Sequence, residues 1–97
     1  MGGISMKILE DRILKLKAGD VRDIDSLKRL LLSMGYQRVS KIDQSLQFAF
    51  RGDILDIFSV NNDYPVRIEF FGDEIDRISE FDVVTGNTLS TLSHISI

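Results

Sequence analysis

A chain of 97 residues is one domain's worth of sequence, long enough to bury about 65% of its unfolded surface without a metal or cross-link. It has no cysteine and no tryptophan, which excludes a disulfide framework and a cysteine-based metal site. With 12 basic against 15 acidic side chains the net charge is −3, which argues against the broad basic surface of a non-specific DNA binder but leaves room for a small basic patch.

No apolar run approaches a membrane span, and the N-terminus lacks a signal-peptide pattern, so a cytoplasmic location is expected. Met1-Gly2-Gly3 reads as an expression remnant ahead of a single domain. Ile4, Ile8, Leu9 and Ile13 either share one side of a short helix or belong to an irregular lead-in. Ile13 to Lys17 alternates as a strand, stopped by Ala18-Gly19-Asp20.

The clearest helix follows, over residues 24–34. Ile24, Leu27, Leu30, Leu31 and Met34 recur at spacings of three and four and form one apolar stripe. Asp23 is the expected N-cap, Asp25 suits the positive end of the helix dipole, and Gly35 suits the left-handed residue past the C-terminus. Lys28 and Arg29 are expected on the outer face. A helix that covers one face of a sheet accounts for all of these residues without any catalytic role.

From Tyr36 onward the chain reads as strands. Gly52-Asp53 has the chemistry of a two-residue type II′ hairpin, which pairs Phe50 with Leu55 and Phe48 with Ile57 on a core face. Arg51 with Ile54, Ala49 with Asp56, and Gln47 with Phe58 then share the other face. A strand from Tyr36 to Ile42, joined through a loop over 43–46, is expected to set Val39 beside Phe50 and Arg38 directly opposite Arg51. Two adjacent arginines repel unless something negative lies between them or docks on them. Asp56, diagonal to Arg51, offers one explanation as a surface ion pair of little consequence for stability. A partner-binding patch of Arg38, Arg51 and Asp56, with Phe58 as apolar neighbour, offers the other.

The next hairpin, Val66 to Asp82, is expected to turn through three residues, Gly72-Asp73-Glu74. This register pairs Phe71 with Ile75, Glu69 with Arg77 and Ile68 with Ile78, whereas a shorter loop would oppose Glu69 to Asp76. Arg67 reads as a ladder partner on the Glu69 face. After a turn at Thr85-Gly86-Asn87, Leu89 to Ile97 is expected as one last strand. The fold class is therefore α+β: one helix on a largely antiparallel sheet of five to seven strands, built from hairpins.

Enzyme chemistry finds no support in these residues. No Gly-x-x-x-x-Gly-Lys-[Ser/Thr] phosphate loop is present, and the single histidine, His94, has no second histidine or cysteine for metal ligation. Asp73, Glu74 and Asp76 sit in and beside a turn without calcium-loop spacing. Arg51-Gly52-Asp53 spells a cell-adhesion tripeptide, but a tight hairpin in a chain without a secretion signal makes coincidence the better explanation. No cofactor is expected.

The wording of GYQRV (35–39), FAFRGDILDIF (48–58), YPVRIEFFGDEIDRI (64–78) and FD..TG (81–86) resembles one family, the UvrB-interaction-type domain found in the repair helicase UvrB and in the transcription-repair coupling factor Mfd. The resemblance runs from about Leu14 to Ile97. Gly35-Tyr36 before Arg38-Val39, Ala49 between Phe48 and Phe50, and Tyr64 to Glu69 look like the Mfd version. Asp53 stands where the Mfd version often has a second glycine, Thr85-Gly86 looks like the UvrB version, and Ser59 stands where both usually carry proline. The resemblance implies a non-catalytic module inside a larger protein that docks on UvrA, with the UvrA-contacting arginines at Arg38 and Arg51. It favours the Mfd setting, whose other domains contact RNA polymerase and DNA, over the UvrB setting. A DNA-contacting accessory domain is the alternative from another class, and the acidic balance disfavours it.

Overall fold

The computed structural model describes residues 14–60 and 62–97. Its elements run β1 (Lys15–Lys17), α1 (Ile24–Ser33), β2 (Gln37–Arg38), β3 (Gln47–Arg51), β4 (Ile54–Phe58), β5 (Val66–Phe71), β6 (Glu74–Phe81), β7 (Thr88–Leu92) and β8 (His94–Ser96). Strands β2 to β7 form one sheet in chain order, and β1 pairs with β8 in a small second sheet. This is the expected α+β fold with a mostly antiparallel sheet. The readings made for residues 4–12 and Ile13 lie outside the described residues.

Helix α1 starts and stops where its local chemistry directs. The Asp23 carboxylate accepts from the Ser26 hydroxyl at 2.7 Å and from the Ser26 N–H at 3.3 Å, satisfying an orphan donor of the first turn. The Ser26 side-chain bond is the main reason the Asp23 carboxyl lies below its ordinary value. At the other end Gly35 takes φ +94°, and the N–H groups of Gly35 and Tyr36 donate to Leu32 and Leu31 carbonyls at 3.1 and 3.0 Å. That is the paired bonding of a Schellman terminus. Leu27 and Leu31 are buried, and Arg29 is exposed as expected. Lys28 is half-buried, with its ammonium 4.6 Å from the Phe50 ring centroid, so it covers an aromatic flank and does not stand clear of the sheet.

Alternation sorts the strands into a core face and an outer face. Phe48, Leu55, Ile57, Val66, Ile68, Phe70, Ile75 and Ile78 pack with Leu27 and Leu31 in the main core, closed off by Leu16 and Ile95 of the small sheet. The β3–β4 hairpin has the expected register throughout, from Arg51 opposite Ile54 to Gln47 opposite Phe58. Gly52 has φ +56° and Asp53 is not in the left-handed region, as a type II′ turn requires.

Three pairings differ from expectation. Strand β2 runs parallel to β3, with Arg38 opposite Phe48, so Arg38 does not face Arg51. The cause is the loop over 39–46, which carries the buried Ile42 onto the outer face against Ala49 and Phe81. Gln47 Oε1 holds this loop by accepting from the N–H groups of Asp43 and Gln44 at 2.9 and 3.2 Å. The second hairpin turns through only two residues, pairing Phe71 with Glu74 and Phe70 with Ile75. A bulge then restores Glu69 opposite Arg77 and Ile68 opposite Ile78, so the extra residue that separates Glu69 from Asp76 sits in the strand and not in the turn.

The last strand is two strands, β7 beside β6 and β8 beside β1. Continuing along β6 is blocked, because residues 19–21 already occupy the position beside Glu74 and Ile75. Gly19 N–H donates to the Ile75 carbonyl at 2.7 Å, Ile75 N–H donates to the Asp20 carbonyl at 2.8 Å, and Val21 bridges Glu74. The chain therefore leaves at Ser93 and buries Ile95 opposite Leu16.

Candidate functional site

The outer face of the sheet carries a buried charge pair at its centre. Ala49, Asp56, Arg67 and Ser79 lie in one row across β3 to β6. Asp56 is only 6% exposed, and an ionised carboxylate at that depth needs a partner. Arg67 supplies it bidentately: Nε donates to Oδ1 at 2.9 Å and Nη2 to Oδ2 at 3.2 Å. The Arg67 guanidinium lies 4.5 Å from the Phe81 ring centroid, with an aromatic face beneath it. Its bond to Asp56 holds it still more firmly protonated than an isolated arginine.

Arg51 stands differently. Its Nη2 is 4.0 Å from Asp56 Oδ2, beyond hydrogen-bond length, and its side chain is 65% exposed. Asp56 already serves Arg67, so Arg51 is left with charge to offer. Between them lies a small cavity of about 100 Å³, lined by Lys41, Arg51, Asp56 and Arg67 over Ile42 and Phe81. Three cations face it against one carboxylate. Such a cavity suits an anionic side chain better than a cation or an apolar group.

Of the four residues expected to form the patch, three lie on this face. Arg51 is exposed at its edge, Phe58 is half-buried against the Ile42–Ala49–Phe81 cluster, and Asp56 is the buried counter-ion that holds Arg67. Arg38 stands apart. In register with Phe48, it belongs to the opposite side of the sheet, and three residues along β3 separate its level from that of Arg51, roughly 10 Å at strand rise. Both arginines nonetheless border one open groove along the β2–β3 edge, so a large partner can reach both. They are not directly opposed across paired strands.

Arg67 and Lys41 are the site residues that sequence reasoning missed. The β4–β5 connection has no tight-turn chemistry to set a register, but matching Asp56 with an opposite charge would have pointed to Arg67. Lys41 depends on the path of the 39–46 loop, which has no sequence signature. Among the described residues there is no cluster of His, Asp and Glu able to hold a metal, and no helix is long and apolar enough to cross a membrane.

The sequence matches known proteins over most of its length. Residues 14–97 match the family described as the UvrB interaction domain. The chain is 44% identical over 85 residues to UvrABC system protein B of Caldicellulosiruptor saccharolyticus, and 49% identical over 86 residues to that of Clostridium botulinum strain Loch Maree. Each match covers 87% of this chain and 13% of the relative. The protein of the same name from Lacticaseibacillus casei is 38% identical over 89 residues, covering 91% of this chain and again 13% of the relative. The chain thus spans about an eighth of the length of these relatives, all of which are B components and none Mfd. With a match across 84 of its 97 residues, the chain belongs to the UvrB interaction domain family.

Proposed function

We propose that this domain is a non-catalytic docking module that binds UvrA, the partner that the family resemblance implies, within a larger UvrB-type nucleotide-excision-repair protein. The observation that carries this reading is Arg51. It is an exposed arginine beside a buried carboxylate already committed to Arg67, and it leaves a cationic edge on a rigid sheet. Arginine is enriched among interface anchors, and the paired strand beneath Arg51 fixes where its side chain starts. The B-component relatives favour the UvrB setting over the Mfd setting.

A second reading, the equivalent domain of Mfd, is supported by Ala49. It is buried on the outer face where UvrB typically carries a further arginine, so this chain presents a smaller cationic set. An RNA polymerase binding assay on the full-length parent separates the two settings, since only Mfd is expected to bind. The docking function itself is tested by titrating UvrA with the domain, alongside a DNA gel-shift. Saturable UvrA binding without a shift supports the proposal, and a shift without UvrA binding supports the DNA-contacting alternative.

A further inference from the structure

The cationic cavity does not end at Arg51. It opens onto a wider, shallower depression of about 440 Å³ lined by Lys41, Ile42, Asp43, Val83 and Val84. Lys41, Ile42, Val83 and Val84 border both spaces, so the two form one continuous surface. Val84 is 88% exposed there, more than any other large apolar side chain among the described residues.

An exposed valine on a loose loop would mean little, but this loop is pinned. Asp82 Oδ1 accepts from the N–H groups of Val84 and Thr85 at 2.8 and 3.3 Å. Gly86 N–H donates to the Asp82 carbonyl at 2.7 Å, Asp82 N–H donates to the Asn87 carbonyl at 2.9 Å, and Asn87 N–H donates to Thr85 Oγ1 at 3.2 Å. Phe81, just before the loop, is fixed beneath Arg67. Val84 is thus held out to solvent at no further cost in ordering when a partner arrives.

We infer that the β6–β7 loop is an apolar jaw of the docking surface, and that the UvrA segment it receives carries an aliphatic side chain next to a carboxylate. The carboxylate seats at Lys41 and Arg51, which with Arg67 make three cations against Asp56 and Asp43 across the two spaces, and the aliphatic group covers Ile42, Val83 and Val84. This inference rests on the UvrA-docking reading and specifies the chemistry of its partner. Neither seat alone would discriminate well: a lone cationic cavity accepts any acid, and a lone valine accepts any apolar group. Adjacent on a rigid frame, they require both in one segment.

The test is a UvrA titration of the parent domain, Val84→Ala, Val84→Asp and Arg51→Ala, each at two salt concentrations. Val84→Ala is expected to weaken binding about fivefold with an unchanged salt dependence, since it removes only apolar burial. Val84→Asp is expected to weaken it more than about tenfold, because it adds a competing carboxylate beside the cations. Arg51→Ala is expected to weaken binding and flatten the salt dependence. All of these positions are exposed, so unchanged melting temperatures verify the fold. Parent-like binding by both Val84 variants, with Arg51→Ala impaired, would overturn the apolar jaw while leaving UvrA docking intact. Absence of UvrA binding by the parent itself would remove both.

Discussion

Arg67 closes both its forks on Asp56, across the β4–β5 ladder, at 2.9 and 3.2 Å. Asp56 is buried and its other arginine is too distant to replace this pair, so Arg67 is a structural residue first. Arg67→Ala leaves a buried carboxylate with one exposed, distant counter-charge and is expected to destabilise the fold by about 2–3 kcal/mol. Arg67→Lys keeps the charge but not the bidentate geometry or the flat contact with Phe81, and should fall between. Urea denaturation of the three proteins measures this. A loss under about 0.5 kcal/mol for Arg67→Ala would mean that Asp56 is solvated and the pair incidental.

The two arginines proposed for the partner act separately in this geometry. Arg38 lies in register with Phe48 and Arg51 belongs to the opposite face, so they are not directly opposed across paired strands. In a double-mutant cycle on UvrA affinity, Arg38→Ala and Arg51→Ala are expected to add within about 0.5 kcal/mol. An interaction term well above 1 kcal/mol would restore the directly opposed pairing that the parallel β2 strand rules out.

Gly52 tests the hairpin on which the outer face depends. It has φ +56° with open space where a Cβ would stand, so strain and not crowding decides the outcome of substitution. Gly52→Val is expected to lose about 2 kcal/mol, since a β-branched residue resists positive φ. Gly52→Asn should lose less. Equal losses measured by thermal unfolding would argue that backbone conformation is not what selects glycine here.

The helix cap makes a pH prediction. The folded-state pKa of Asp23 lies below its ordinary value of 3.8, chiefly through the hydrogen bond from the Ser26 hydroxyl. A depressed folded pKa means that the charged cap stabilises the fold above pH 3.8 and that this contribution fades as pH falls through the lower folded value. Asp23→Ala should therefore lower the melting temperature at neutral pH, and the gap to the parent should narrow in strongly acidic solution. A constant gap would assign the effect to the side chain's shape and not to its charge.

Much of this fold is legible from local rules, because those rules act over short spans. The cap at Asp23, the glycine at 35 and the Gly52-Asp53 turn each involve neighbours in sequence, and each yields the observed structure. The charge argument that opposed Glu69 to Arg77 reached the right pairing, although the spare residue went into a bulge. What stayed hidden depends on contacts distant in sequence. Nothing local says that Ile42 will cross to Ala49 and Phe81 and thereby turn β2 parallel, or that residues 19–21 will occupy the end of β6 and send β8 elsewhere. The site follows the same division. Arg51, Asp56 and Phe58 share a face through a legible hairpin, whereas Arg67 and Lys41 join them through longer connections.

In the proposed function the outer face docks UvrA through Arg51, whose charge no hydrogen bond to Asp56 commits. The most direct measurement is the UvrA affinity of Arg51→Glu against the parent, with thermal unfolding of both. Arg51 is exposed and no closer than 4.0 Å to Asp56, so the like charge placed near Asp56 should cost no more than about 1 kcal/mol in unfolding. Binding should fall by about 2 kcal/mol or more, roughly thirtyfold, as a carboxylate replaces the guanidinium at the cationic edge. Undiminished affinity in a folded Arg51→Glu domain would rule out docking through Arg51.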